Sequence, residues 1–371
     1  MKTDKIKVII SGGGTGGHVF PAIAIADALK KIEPNIDVLF VGAQGKLEME
    51  KVPKAGYPIK GLKISGFQRK LSWKNFLNLF HLVGSLWKAF WIVRRFKPDV
   101  VVGVGGYASG PTLEMAYRQG IPVLVQEQNS YAGITNKLLA KKAQKICVAY
   151  PNMERFFPKE KLQITGNPVR NDIGNLTHLK AAGLAHFGLE KGKKTILLFG
   201  GSLGAKTLNI AMRFNAEEIG KLEDVQILWQ AGKLYIAEYK DCETAQLPNV
   251  KIRAFLDRMD LAYALADVVI CRAGALTISE LSMVGKPAVL IPSPNVAEDH
   301  QTENAKALVN AQAAIMVKDS EATLEMLPQA IHILRNETQR RQLCQQIKTL
   351  ARPNAASEIA QEVRKLATKS Y

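Results

Sequence analysis

Acidic side chains are missing from one long stretch of this chain. From Lys51 to Pro98 there are eleven lysines or arginines and no aspartate or glutamate. Over all 371 residues, 33 acidic groups face 50 basic ones, a formal charge of +17. Such an excess implies an acidic partner: nucleic acid, anionic lipid or a phosphorylated substrate. Cysteine is scarce as well. Cys147, Cys242, Cys271 and Cys344 are scattered without a C-x-x-C, which argues against a disulfide framework or a zinc site and fits a reducing compartment. There is no Asp-x-Asp and no cluster with metal-ligand spacing, so the expected chemistry uses no metal and no cofactor. No apolar run reaches the ~18–20 residues of a spanning helix. The apolar run before residue 11 is too short for a signal-peptide core.

What the chain does have is a repeated rhythm. Lys7-Val8-Ile9-Ile10 reads as a strand, Gly12 to His18 as a glycine turn, and Pro21 to Lys31 as a helix. Strands follow at 37–41, 99–102 and 121–126, with a helix at 111–119. The pattern restarts at Lys194–Phe199, a strand, then Gly200-Gly201-Ser202-Leu203-Gly204 and a helix from Lys206. Asp267-Val268-Val269-Ile270 parallels Asp99-Val100-Val101-Val102, and the run from Gly285 to Leu290 parallels that from Gly120 to Leu124. Strand, turn and helix in alternation predict an α/β protein with parallel sheets. Two doubly wound Rossmann-like domains facing across a cleft are expected, residues 1–166 and 167–352. A final amphipathic helix, 353–371, carries Ile359, Val363 and Leu366 at helical spacing.

Ala266 to Glu280 concentrates the chemistry. A β-branched run, Val268 to Cys271, leads through Arg272-Ala273-Gly274-Ala275 into Thr277-Ile278-Ser279-Glu280, which reads as a capping box opening a helix. A strand ending at a helix N-terminus makes an anion pocket, and Glu280 is placed to take ribose hydroxyls. The first glycine turn contains G-x-G-x-x-G, a weak dinucleotide signal when taken alone. The strand after each glycine turn ends without the acidic residue that a nicotinamide dinucleotide would need. Two such turns fit a phosphate-rich donor and a phosphate-rich acceptor better. His18, directly after Gly17, is a candidate general base. Gln126-Glu127-Gln128-Asn129 follows a buried apolar run where ligands bind in open α/β sheets. The stretch from Asp299 to Asn304 holds a comparable place in the second half.

The acid-free segment also carries Phe67, Trp73, Phe76, Phe80, Trp87, Phe90, Trp91 and Phe96, with apolar residues at a helical period. Basic residues interleaved with Trp and Phe suit an anionic membrane interface, with part of the face left for the core. Trp73, Phe76, Phe80, Trp87 and Trp91 are the expected membrane contacts. Nucleic acid is disfavoured, since no nucleic-acid signature appears.

Taken together, GGGTGGHVFPA, VGVGGYASGP, QEQNSYAGITNK, GNPVR, GGSLGA and CRAGALTISE resemble the motifs of the MurG family, in order, from about Lys7 to the last helix. The resemblance implies a GT-B glycosyltransferase fold, an acceptor half and a UDP-GlcNAc half. It also implies inverting transfer of GlcNAc to the 4-hydroxyl of a lipid-linked muramyl-pentapeptide, by a peripheral protein on the cytoplasmic face of the bacterial inner membrane. Carried over by position, Thr15, Gly16, Gly17 and Asn129 line the donor sugar and acceptor side. Arg170 and Ser202 bind the diphosphate, and Leu256 addresses the uracil through its backbone. Ala275, Leu276, Thr277, Ile278, Ser279 and Glu280 form the donor pocket, and Gln301 meets the sugar. His300 stands where the family often has a second glutamine. A UDP-GlcNAc epimerase on the same fold and a non-enzymatic membrane scaffold are the alternatives.

Overall fold

The computed structural model describes residues 5–64, 73–169, 173, 176–201 and 203–368, and only the backbone at 73–80, 177 and 297. The chain divides into two compact units, residues 1–170 with 352–371, and residues 171–351.

In the first unit, seven strands form one parallel sheet: β1 (Lys7–Ser11), β2 (Asp37–Ala43), β3 (Ile59–Leu62), β4 (Val100–Gly103), β5 (Val123–Glu127), β6 (Lys145–Val148) and β7 (Leu162–Ile164). Their spatial order is β3-β2-β1-β4-β5-β6-β7. The second unit repeats the scheme with β8 (Lys194–Phe199), β9 (Val225–Gln230), β10 (Val250–Arg253), β11 (Val268–Cys271), β12 (Ala288–Leu290) and β13 (Ile315–Met316). Its order is β10-β9-β8-β11-β12-β13. The strands are Val- and Ile-rich because helices cover both faces of a parallel sheet. Val8, Ile9 and Ile10 are all fully buried.

The order of each sheet reverses at one place, between β1 and β4 and between β8 and β11. Crevices for ligands form at such switch points, above the carboxyl ends of the strands. Both glycine turns begin there, after Ser11 and after Phe199.

The helix Gly16–Ile32 starts earlier than the sequence suggests and carries Pro21 inside it. Proline has no N–H, so the helix lacks only the bond to Gly17 O, one turn from its beginning. The terminal helix Ala355–Thr368 belongs to the first unit: Ile359, Ala360 and Val363 share a core cluster with Ile25 and Leu29. Burying each of the larger of these side chains stabilises the unit by about 1.5–3 kcal/mol.

Candidate active site

In the first unit, the β1 and β4 turns interlock. Gly13 N donates to Gly105 O at 3.3 Å. At Gly106, where φ is +85°, an added Cβ would sit 2.3 Å from Gly13 O, so only glycine lets the two turns meet. Thr15 ends the turn in extended geometry, exposed, and its carbonyl accepts from His18 N and Val19 N, both at 3.1 Å. Gly16, Gly17 and His18 form the first helical turn. His18 Nδ1 lies 3.1 Å from Gly13 O. A carbonyl only accepts, so Nδ1 carries the hydrogen and Nε2 is the nitrogen able to take a proton.

A residue that the sequence reading passed over completes this loop. Glu48, 1% exposed, accepts from Gly14 N at 2.8 Å through Oε2 and from Ala43 N at 2.9 Å through Oε1. The expectation that the first glycine turn is an anion cradle is therefore corrected at Gly14: its amide already serves a protein carboxylate. The only sequence signal was an acid soon after β2, too far past the strand end to match a ribose-binding position.

The expectation for the polar run that ends β5 is also corrected. Gln126 and Gln128 are buried and bond to each other. Gln126 Nε2 donates to Asn167 Oδ1 at 3.1 Å, and Gln128 Nε2 to Val104 O at 2.8 Å. Glu127, 1% exposed, accepts from Asn129 N and Gly133 N, both at 3.0 Å, and from Asn136 Nδ2 at 2.8 Å. Three of the four side chains are therefore scaffold, buried and bonded within the protein, although Gln128 Oε1 finds no partner among the described residues. Asn129, half-buried, is the member held at the surface of this scaffold, with its amide 3.3 Å from Glu127 Oε1.

In the second unit, the β8 and β9 turns interlock in the same manner. An added Cβ at Gly232, where φ is +92°, would lie 2.2 Å from Gly204 Cα. Gln230, at the end of β9, joins three segments. Its Nε2 donates to Gly201 O at 2.6 Å and its Oε1 accepts from Leu256 N at 3.3 Å. Leu256 is 2% exposed, and the Gln230 side chain holds its amide. Arg170 and Ser202 lie outside the described residues.

The helix after β11 runs Ala275–Val284, and Gly274 is its N-cap in extended geometry with no side-chain cap bond. The expected capping box does not form. The helix begins two residues before Thr277, which places Thr277 at the third helical position and Glu280 at the sixth. Gly274 allows this early start, and the first amides of Ala275, Leu276 and Thr277 precede the first intrahelical bond, from Ile278 N to Gly274 O at 3.0 Å. Ser279 Oγ donates back to Ala275 O at 3.0 Å. Glu280 is released from capping and set by Tyr263, whose hydroxyl donates to Glu280 Oε2 at 3.0 Å. Beneath the pocket, burial first and then the Glu280 charge push the Cys271 thiol up, so it stays protonated.

Gln301 opens the helix His300–Asn310, and its Oε1 accepts from Ser293 N at 2.9 Å. Asn304, fully buried, donates to Ala273 O at 3.3 Å, so this helix is tied to the turn before the helix Ala275–Val284. Glu298 and Asp299 precede it at φ of 56° and 50°, consecutive left-handed non-glycine residues. Strain of this kind gathers at functional loops. Among the described residues, no group of three or more His, Cys, Asp or Glu is arranged to hold a metal ion.

In the acid-free segment, the helix Trp73–Phe96 turns small residues inward. Ser85, Ala89 and Val93 are buried, while Trp87 is 66% and Trp91 40% exposed. Trp87 and Trp91 pack edge to face at 5.9 Å between centroids, and the Arg95 guanidinium lies 5.7 Å from the Trp91 ring. The side chains of Trp73, Phe76 and Phe80 lie outside the described residues.

Comparison with known proteins gives these two half-sites a family. Residues 8–148 match the glycosyltransferase family 28 N-terminal domain, and residues 195–363 its C-terminal domain. The UDP-N-acetylglucosamine–N-acetylmuramyl-(pentapeptide) pyrophosphoryl-undecaprenol N-acetylglucosamine transferase of Bacteroides fragilis is 53% identical over 369 residues, 99% of this chain and 97% of its own. The like-named protein of Flavobacterium psychrophilum is 53% identical over 365 residues, 98% of each chain. The chain belongs to the MurG transferases of glycosyltransferase family 28. The crystal structure of Acinetobacter baumannii MurG matches it with a TM-score of 0.75 at 32% identity, covering 97% of this chain and 99% of that one. A UDP-GlcNAc 2-epimerase from Neisseria meningitidis reaches a TM-score of 0.66 at 16% identity over 98% of this chain and all of that one, a likeness of fold alone. The two Rossmann-like sheets of this MurG-family chain are those of the GT-B fold.

Proposed function

We propose that this MurG-family chain is a UDP-GlcNAc-dependent N-acetylglucosaminyltransferase. It moves GlcNAc to the 4-hydroxyl of undecaprenyl-pyrophosphoryl-MurNAc-pentapeptide, lipid I, to give lipid II in peptidoglycan synthesis. The observation that carries this reading is the opening of the helix Ala275–Val284 directly after β11, with Glu280 oriented by a buried tyrosine. A helix start supplies amides and a positive dipole end to a diphosphate, and a fixed carboxylate takes the two ribose hydroxyls. The Leu256 carbonyl is the group for the uracil N3–H, since the Leu256 amide is already bonded to Gln230. Gln301 and Asn129 serve the sugar and the acceptor.

In the proposed step, the acceptor 4-hydroxyl attacks the anomeric carbon from the face opposite the UDP oxygen. A C–O bond forms, the C–O bond to UDP breaks, and its electron pair leaves on the diphosphate. The hydroxyl proton passes to His18 Nε2. The leaving charge falls on the helix start and, by the family resemblance, on Arg170 and Ser202. Thr15, Gly16 and Gly17 line the donor sugar and acceptor side, and the Thr15 carbonyl also accepts from His18 N.

The exposed Trp87–Trp91 pair and its arginines support a second element of the reading: peripheral attachment to an anionic membrane, at the cytoplasmic face where lipid I is presented. Among the described residues, no helix is long and apolar enough to cross a membrane. The deciding assay follows UDP release from UDP-GlcNAc with and without a lipid-linked muramyl-pentapeptide, each with and without a chelator. Release only with the acceptor, and lipid II as product, is expected. Release without acceptor, or appearance of the 2-epimer, would overturn the reading.

A further inference from the structure

His18 and Glu48 touch the same peptide group from opposite ends. The Gly13 carbonyl accepts from His18 Nδ1 at 3.1 Å, and the Gly14 N–H donates to Glu48 Oε2 at 2.8 Å. These two atoms belong to one planar unit, the Gly13–Gly14 peptide, so carboxylate, amide and imidazole form a continuous chain of hydrogen bonds. The carboxylate is seated rather than draped there. An added Cβ at Gly13 would lie 2.2 Å from Glu48 Cδ, and one at Gly42 would lie 2.5 Å from Glu48 Cγ. Its other oxygen holds Ala43 N at 2.9 Å, which pins the side chain between the ends of two strands. With 1% exposure, its field is poorly screened by water.

We propose that Glu48 is a positioning residue for the reaction: through the Gly13–Gly14 peptide it fixes the His18 tautomer and raises the basicity of Nε2. A negative charge at the N–H end of a peptide polarises the amide and strengthens its carbonyl as an acceptor. A stronger acceptor binds Nδ1–H more firmly, orients the ring and favours the imidazolium. In hydrolytic triads a carboxylate bonds the imidazole directly, holding the tautomer and steadying the cation; here one peptide stands between them.

Among the described residues, neutral groups also lie close to His18. Thr15 Oγ1 lies 3.4 Å from Nδ1. From the β4 turn the neighbour is Gly105, where an added Cβ would lie 2.9 Å from Nε2. Glu127, beside Gln128, has both oxygens bonded to the 129–136 segment. Glu48 reaches the ring by a bonded route through the Gly13–Gly14 peptide.

This inference rests on the reading of His18 as the base, and the test separates the two. The His18 imidazole is titrated by NMR in the full chain without substrate, for the wild type and for Glu48→Gln, and the kcat–pH profile is measured for both. The substitution removes the charge and keeps the shape. The expected result is a fall in the His18 pKa of about half a unit, from one elementary charge at several ångströms in a partly polar medium. The acid limb of kcat moves to lower pH by the same amount, and the KM for UDP-GlcNAc stays within twofold. A His18 pKa unmoved in Glu48→Gln overturns the relay. A shifted pKa with an unmoved acid limb leaves the relay standing and removes His18 as the base. If Glu48→Gln does not fold, the wild type still answers: the Gly14 amide proton resonance should titrate in step with the His18 ring. A Gly14 amide indifferent to that titration overturns the proposal.

Discussion

Tyr263 donates its hydroxyl hydrogen to Glu280 Oε2 at 3.0 Å, across 17 residues of sequence. The tyrosine is wholly buried and its ring packs edge-on against Phe199 at 6.2 Å, so it cannot follow a moving partner. It therefore fixes one carboxylate oxygen and leaves the carboxylate aimed. Glu280→Ala should raise the KM for UDP-GlcNAc by roughly ten- to a hundredfold, the worth of about 1.5–3 kcal/mol for hydrogen bonds to a charged group. Tyr263→Phe keeps the ring and removes only the aim, so a rise of about threefold to tenfold is expected, near 1 kcal/mol. Steady-state kinetics on a soluble acceptor measures both, and an unchanged KM in Glu280→Ala removes the ribose role.

Gly106 tests whether the interlocked turns matter to His18. Gly106→Ala would place a methyl group 2.3 Å from Gly13 O in a backbone held at φ +85°. The turn must shift, and the displaced carbonyl is the one that orients the imidazole. A loss of about 1–3 kcal/mol in stability by urea unfolding is expected from the backbone strain alone. A kcat reduced by more than the loss of folded protein should accompany it. A midpoint and a kcat both equal to wild type would mean that the turns do not need to touch.

Much of this architecture was legible in the sequence because the chain states it twice. Asp99 Oδ2 accepts from Lys7 N at 2.8 Å, and Asp267 Oδ2 accepts from Thr195 N at the same distance. Both aspartates stand one residue before a strand beside the switch point, and both are followed by a Gly-x-Pro segment. Local periodicity carried the strands, since a run such as Val268 to Cys271 has no other way to be buried. Other features depend on partners distant in sequence. Glu48 reads as one more helix acid until Gly14 and Ala43 are seen to donate to it. Tyr263 reads as a core aromatic until Glu280 is found beside it. Thr-x-x-Glu is a capping pattern wherever it falls and so points to a cap at Thr277, whereas Gly274 takes the cap of the helix Ala275–Val284 without a side chain. In Gln126 to Asn129, polarity at a strand end reads as a ligand site, while most of it is bonded within the protein.

Lys286 gives a prediction in pH. Its ammonium donates to Ala266 O at 2.7 Å, and burial holds its pKa below the usual lysine range, with the Asp267 charge opposing the shift. A folded-state pKa below the unfolded value means that the folded chain releases its proton first. Stability from this group therefore rises with pH from the folded pKa up to the ordinary lysine value, and is lowest where both states are charged. Lys286→Met should consequently gain on wild type at pH 7 more than at pH 9.5. Urea unfolding of both proteins at the two pH values measures this, and a difference independent of pH would show that the lysine carries no such strain.

The exposed aromatic pair separates membrane contact from core packing. Trp87 and Trp91 lie on the face opposite Ser85, Ala89 and Val93, with Lys88, Arg94 and Arg95 exposed beside them. Changing both to serine removes little that the fold uses, so stability should stay within about 0.5 kcal/mol per site. Interfacial burial of two indole rings is a larger quantity, and binding to vesicles containing anionic lipid should weaken roughly tenfold or more. Raising the salt should weaken the wild type as well, because the arginines act through a screened field. Activity on a short-chain, water-soluble acceptor should be unaffected, whereas activity on the long-chain lipid in vesicles falls with binding. Vesicle cosedimentation run beside the two activity assays makes the distinction. If both activities fell together with the unfolding midpoint, the two tryptophans would belong to the core, and the surface that meets the membrane would have to be sought elsewhere.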